Sequence, residues 1–108
     1  MHNVKRLADR LSEPWKPVVV GEANGFLLKV VRVEGTFPWH VHEHEDELFF
    51  CLRGTFRIEQ EWTPTATLSE GDVLTVPAGR RHRPIADDPA IAMIFERSET
   101  KQYGESST

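Results

Sequence analysis

The chain has 108 residues, with 13 basic against 17 acidic side chains and a formal net charge of −4. That balance lacks the basic footprint nucleic acid requires, and no run of 18 apolar residues exists to span a membrane as a helix. The first ten residues hold no apolar signal core and the lone cysteine, Cys51, can form no internal disulfide, so a single cytoplasmic domain over residues 1–108 is expected.

Residues 3–12, NVKRLADRLS, predict a short helix. Asn3 can cap it, Val4, Leu7, Ala8 and Leu11 recur at helical spacing, and Pro14 ends it. Its apolar stripe is expected to pack on the outside of a barrel. Residues 17–33 predict two strands around a turn at Gly21–Gly25, where Asn24-Gly25 is the turn signal. In the second strand Phe26, Leu28 and Val30 share one face, and Leu27, Lys29, Val31 and Val33 the other. Both faces are largely apolar, so neither is freely solvated. Glu34-Gly35 turns the chain, and Pro38 and Trp39 lead on. Trp39 either stacks on a ligand or covers the barrel edge or an interface.

His40 and His42 stand two apart, which in a strand puts both imidazoles on one face. Glu47 has the wrong parity for the same uninterrupted strand. A polar turn at His44-Glu45-Asp46 would let Glu47 open the next strand and point back at the pair. His44 itself reads as an exposed turn residue. Leu48 to Leu52 is apolar on both faces, with Phe49 and Cys51 below Glu47 if theirs is the metal face. Cys51 reads as a small buried hydrophobe. Thr55 to Trp62 alternates, with Phe56 and Ile58 inward and Arg57 and Glu59 outward. Pro64 interrupts, Val73 to Val76 is a short strand, and Pro77-Ala78-Gly79 turns again. His82 follows among Arg80, Arg81 and Arg83. Arg80 can meet an anionic ligand if it shares the face of His82; solvated rim arginines are the plainer reading. Ile85–Pro89 is expected as a turn, and Ala90–Glu96 as the last strand, with Ile91, Met93 and Phe95 on one face. The tail from Arg97 to Thr108 is polar and expected to fray, with Tyr103 able to pack back. Short strands punctuated by turns every eight to twelve residues imply a sandwich or barrel.

Two stretches carry a family pattern. Gly35, His40-Val41-His42, Glu47 and Gly54 resemble the first motif of the cupin superfamily, with one residue fewer than usual between Gly35 and His40. Gly71, Pro77-Ala78-Gly79 and His82 resemble the second, with Ala86 where asparagine is usual. The motifs and their linker cover residues 35–86, and the wording around Trp39–Phe49 looks like that of small single-domain bacterial cupins. The resemblance implies an all-β jelly-roll barrel, and it implies His40, His42, Glu47 and His82 as ligands of one divalent metal ion. Iron, zinc, manganese and nickel all suit such donors. Three imidazoles and one carboxylate leave coordination positions open, as in a catalytic site.

The expected function is therefore a small-molecule metalloenzyme, dioxygenase-like with iron, or isomerase- or hydrolase-like with zinc, manganese or nickel. The alternative is a non-catalytic barrel that binds or senses a small ligand. Candidate pocket residues are Trp39, Phe49, Cys51, Phe56, Arg80, Met93 and Phe95. Strands apolar on both faces in so small a chain point to a homodimer.

Overall fold

A computed structural model describes residues 1–104; the last part of the expected tail, 105–108, lies outside the described residues. One helix, α1 (Val4–Ala8), precedes seven strands: β1 (Val18–Ala23), β2 (Phe26–Thr36), β3 (Glu47–Arg53), β4 (Thr55–Gln60), β5 (Thr63–Ser69), β6 (Val73–Val76) and β7 (His82–Arg97). The strands pair antiparallel in the order β1-β2-β7-β3-β6, with β4 joining β7 to β5. This is the all-β jelly-roll architecture.

Helix α1 is shorter than the expected 3–12. Asn3 caps it, accepting from the Arg6 backbone amide. After Ala8 the bonds tighten to the three-residue spacing, Arg10 N to Leu7 O and Leu11 N to Ala8 O, so the helix is wound down well before Pro14. The β1–β2 turn is also shorter than expected. Asn24 and Gly25 both adopt positive φ, 54° and 77°, which matches a two-residue hairpin whose twist suits its strands. Gly21 instead sits within β1, beside a register shift. Pro64 lies inside β5 rather than interrupting it. Among the described residues that strand pairs only with β4, so a residue without an N–H is tolerated on its other edge.

Strand β7 is the largest departure. Residues 85–89, expected as a turn, continue the strand. Val33 pairs with Ala90 and Gly35 with Ala86, so Asp87, Asp88 and Pro89 bulge opposite the single Glu34. The bulge bends the strand without ending it. The first part of β7 then pairs with β4, Gln60 against His82 to Arg57 against Ile85. The later part pairs with β3, Arg53 against Ile91 to Leu48 against Phe95. One strand therefore carries His82 at one end and reaches the strand of Glu47 at the other.

Val31, Val33, Phe49, Cys51, Phe56, Ile58, Leu68, Val76, Ala90 and Ala92 form the interior core. A second cluster, Ala8, Val30 and Ile91 with Val4, Leu7, Leu11 and Leu52, lies under the helix on the outer face. Met93 joins that outer cluster, and Phe95 is 43% exposed, so neither lines the interior as expected. Ile91, Met93 and Phe95 of β7 face out, while its inward positions are Ala90, Ala92, Ile94 and Glu96. Ala90 and Ala92 are small where β2 and β3, both paired with this strand, carry bulky Val31, Val33 and Phe49 into the same space.

Candidate metal centre

The structure brings His40, His42, Glu47 and His82 together, all four buried, with one potential ligand atom from each lying within 4.8 Å of the others. The ring centroids of His40 and His82 are 4.3 Å apart, those of His40 and His42 5.1 Å, and those of His42 and His82 5.6 Å. The two N-terminal histidines do not sit in one regular strand. His40 forms an isolated bridge, its amide donating to His82 O at 3.1 Å and accepting back through its carbonyl at 2.9 Å. Residues 41–46 are a loop, clamped to the Pro77–Gly79 turn. Gly79 N donates to His42 O at 2.8 Å, and Ala78 N to Asp46 Oδ1 at 2.8 Å. Glu47 then opens β3 against Val76 of β6.

Backbone carbonyls orient two of the rings. His40 Nδ1 lies 2.9 Å from Pro38 O, and His82 Nδ1 lies 3.0 Å from Arg80 O. A carbonyl accepts only, so each Nδ1 carries the proton, and each Nε2 presents a lone pair. His82 Nε2 nevertheless lies 3.1 Å from Glu47 Oε1. A neutral ring would there set lone pair against carboxylate, unless a cation or proton lies between. His42 adds to this: both its ring nitrogens are buried without a hydrogen-bond partner, and its Nε2 is 3.4 Å from the same Glu47 oxygen. Buried polar atoms are normally paired. The donor set, its oriented lone pairs and its unpaired ring fit a divalent metal ion.

The electrostatics set the groups of the cluster apart. Burial, reinforced by His82, lowers the His40 pKa to about 4, so its imidazole is neutral at ordinary pH. Glu47 is held below the usual carboxylate range, against its burial, by His42 and His82. Against its own burial, His42 is raised by Glu47.

Beside the cluster a small cavity of about 40 Å³ is lined by His40 and Glu47 and walled by Val31, Val33, Phe37, Phe49 and Ile94. Trp15, Pro17, Pro84 and Gln102 form the remaining apolar wall and rim. Of the pocket residues expected from sequence, Phe49 lines this cavity and the others do not. Cys51 lies deeper in the core, its thiol donating to Gly54 O at 3.2 Å. Phe56 packs in the core away from the cavity. Trp39 is 38% exposed, with the Arg83 guanidinium 4.8 Å from its ring centre. Arg80 donates to Gln60 Oε1, while Arg81 and Arg83 pair with Glu61 and Glu59, as rim arginines. His44 is exposed.

Two charged residues of the cavity were missed, Lys29 and Glu96. The signal was available: each is the one charged side chain on an otherwise apolar strand face. The tail was expected to fray, yet as far as Gly104 it packs back. Gln102 Nε2 donates to Trp15 O at 2.7 Å, and Tyr103 stacks on Phe37 with ring centres 4.8 Å apart.

Residues 27–96 match the family model described as Cupin domain. The uncharacterized protein YdbB of Bacillus subtilis (strain 168) is 31% identical over 83 residues, covering 77% of this chain and 74% of its own. A cupin-2 domain containing protein from Shewanella frigidimarina superposes with a TM-score of 0.84 at 33% identity, over 89% of this chain and 93% of that one. Hydroquinone 1,2-dioxygenase from Sphingomonas sp. TTNP3 shares the fold, with a TM-score of 0.82 at 19% identity, over 91% of this chain and 32% of that one.

Proposed function

The chain belongs to the cupin domain family, and from that premise we propose that it is a metal-dependent enzyme acting on a small, largely apolar molecule. His40, His42, Glu47 and His82 hold the ion. The observation that carries this reading is the contact of His82 Nε2 with Glu47 Oε1 at 3.1 Å, where the ring's proton is already committed to Arg80 O. Iron, zinc, manganese or nickel held there supplies either redox chemistry with dioxygen or Lewis-acid polarisation of a carbonyl.

The chain's own residues do the rest. Pro38 O and Arg80 O fix two imidazoles in the ligating tautomer. His40 and Glu47 line both the cluster and the cavity, so a molecule in the cavity sits beside the ligands. Phe37, Phe49, Val31 and Ile94 keep water from its apolar part. A second copy of the chain covers the outer hollow of Leu28, Leu48, Phe50, Met93 and Phe95, making a homodimer. No described helix is long and apolar enough to cross a membrane, and we place the activity in the cytoplasm, where a lone thiol such as Cys51 stays reduced.

The test is turnover. Protein loaded separately with ferrous iron, zinc, manganese and nickel is screened for oxygen uptake and for isomerisation or hydrolysis of small carbonyl compounds. Turnover in one metal form, absent from His82→Ala, is expected. Ligand binding without turnover in every form would replace the enzyme with a sensing or binding barrel.

A further inference from the structure

The cavity beside the cluster measures about 40 Å³, room for a few water molecules and no more. A larger molecule reaches His40 and Glu47 only if part of the lining moves. Most of the lining stands in β2, β3 and β7, each paired with a strand on either side. Gln102 does not. It belongs to residues 98–104, which leave the end of β7 and cross back over the rim of the cavity.

Three successive residues hold this segment down. Gln102 Nε2 donates to Trp15 O at 2.7 Å. Tyr103 stacks on Phe37 with ring centres 4.8 Å apart, and Phe37 in turn stands edge-on to His40 at 5.1 Å. Gly104 lies flush on the backbone between His40 and His42: a Cβ there would collide with Val41 O and lie 2.8 Å from Val41 N. Trp15 and Phe37 both line the cavity, so the segment is seated on its rim. Its own backbone bonds are turns, Thr100 N to Arg97 O and Gly104 N to Lys101 O, each at 3.0 Å, and add nothing to its grip on the barrel. A hydrogen bond, a ring stack and a close approach are each weak against a strand ladder, which puts the segment at the low end of local stability. Thr100 Oγ1 is buried there without a hydrogen-bond partner, a cost that exposure to water removes.

We infer that residues 98–104 form a strap that closes the cavity and lifts, with the barrel intact, to admit a molecule larger than water. The inference rests on the proposed function in taking the cluster as the place a molecule must reach, but it needs no metal. Tyr103 and Gly104 set the closed position. The phenol ring pins Phe37, and only a residue without a side chain lets the backbone seat against Val41.

The test uses diethyl pyrocarbonate, which acylates an unprotonated imidazole nitrogen and is too large for a space that holds a few waters. It is applied to the full chain after chelation, with each histidine followed by mass spectrometry and exposed His44 as the internal reference. In the parent, His40 should react about tenfold or more slower than His44. Tyr103→Ala and Gly104→Val should each speed His40 about tenfold, leave His44 unchanged and keep the parent's midpoint in urea. In the same parent sample the Thr100 and Gly104 amides should exchange about a hundredfold or more faster than those of Val30 and Val31, which marks an opening strap on a folded barrel. The strap is overturned by a parent His40 that reacts as fast as His44, or by a His40 rate that either substitution leaves unmoved. It is equally overturned by a gain in His40 reactivity matched by a fall in the urea midpoint, or by strap amides as slow as those of β2. Absence of bound metal would refute the metalloenzyme and leave this result standing.

Discussion

At His82 two simple facts conflict: Nδ1 gives its proton to Arg80 O, and Nε2 still approaches a carboxylate. A metal ion or a second ring proton resolves the conflict, and metal-free protein should show the cluster's own titrations. In metal-free protein Glu96 is pushed up to about 8, by burial first and by Glu47 beside it. A raised carboxyl favours folding below its unfolded value of 4.5 and loses that stabilisation as pH rises to about 8. His42, also raised, acts in the same direction above 6.5. His40, lowered to about 4, acts the other way, but only below 6.5. The melting temperature of chelated protein should therefore fall between about pH 6.5 and pH 8, and Glu96→Gln should flatten that slope. A melting temperature that rises across the window in the chelated parent would contradict this assignment. The four candidate ligands were legible because their spacing pairs them with two sequence motifs. Lys29 and Glu96 stood out as lone charges on apolar strand faces, but which face turns inward was not legible, since β7 could be read either way.

Strands β2 and β3 and the inward alternation of β4 followed from apolar periodicity. Strand β7 did not, since Asp87-Asp88-Pro89 has the composition of a turn. Tertiary pairing overrides it: β2 runs alongside on one side while β4 and then β3 pair on the other, so the chain bulges and continues. Gly54, between β3 and β4, fits against this bulge. Its φ is +74°, and a Cβ there would lie 3.2 Å from Ala90 Cβ and 3.4 Å from Pro89 O. Gly54→Ala combines left-handed strain with crowding and should destabilise by about 1–3 kcal/mol in urea unfolding. A neutral result would mean that β3–β4 and the bulge are less tightly packed than described.

The molecule as a whole places one apolar face around the cavity and leaves another open. Leu28, Leu48, Phe50, Met93 and Phe95 line a hollow on the outer sheet, and Val73 and Phe95 are 57% and 43% exposed. This apolar hollow is the basis of the proposed homodimer. Light scattering at micromolar concentration should give twice the chain mass, and Phe95→Glu should shift it to monomer; monomer in the parent would refute the homodimer. The jelly-roll architecture was readable from strand spacing and motifs, whereas the side of the sheet that stays open was not. Elemental analysis of untagged protein should find close to one transition-metal ion per chain in the parent and none in His40→Ala or His82→Ala. A parent that stays empty after reconstitution, or variants that keep their metal, would contradict the account.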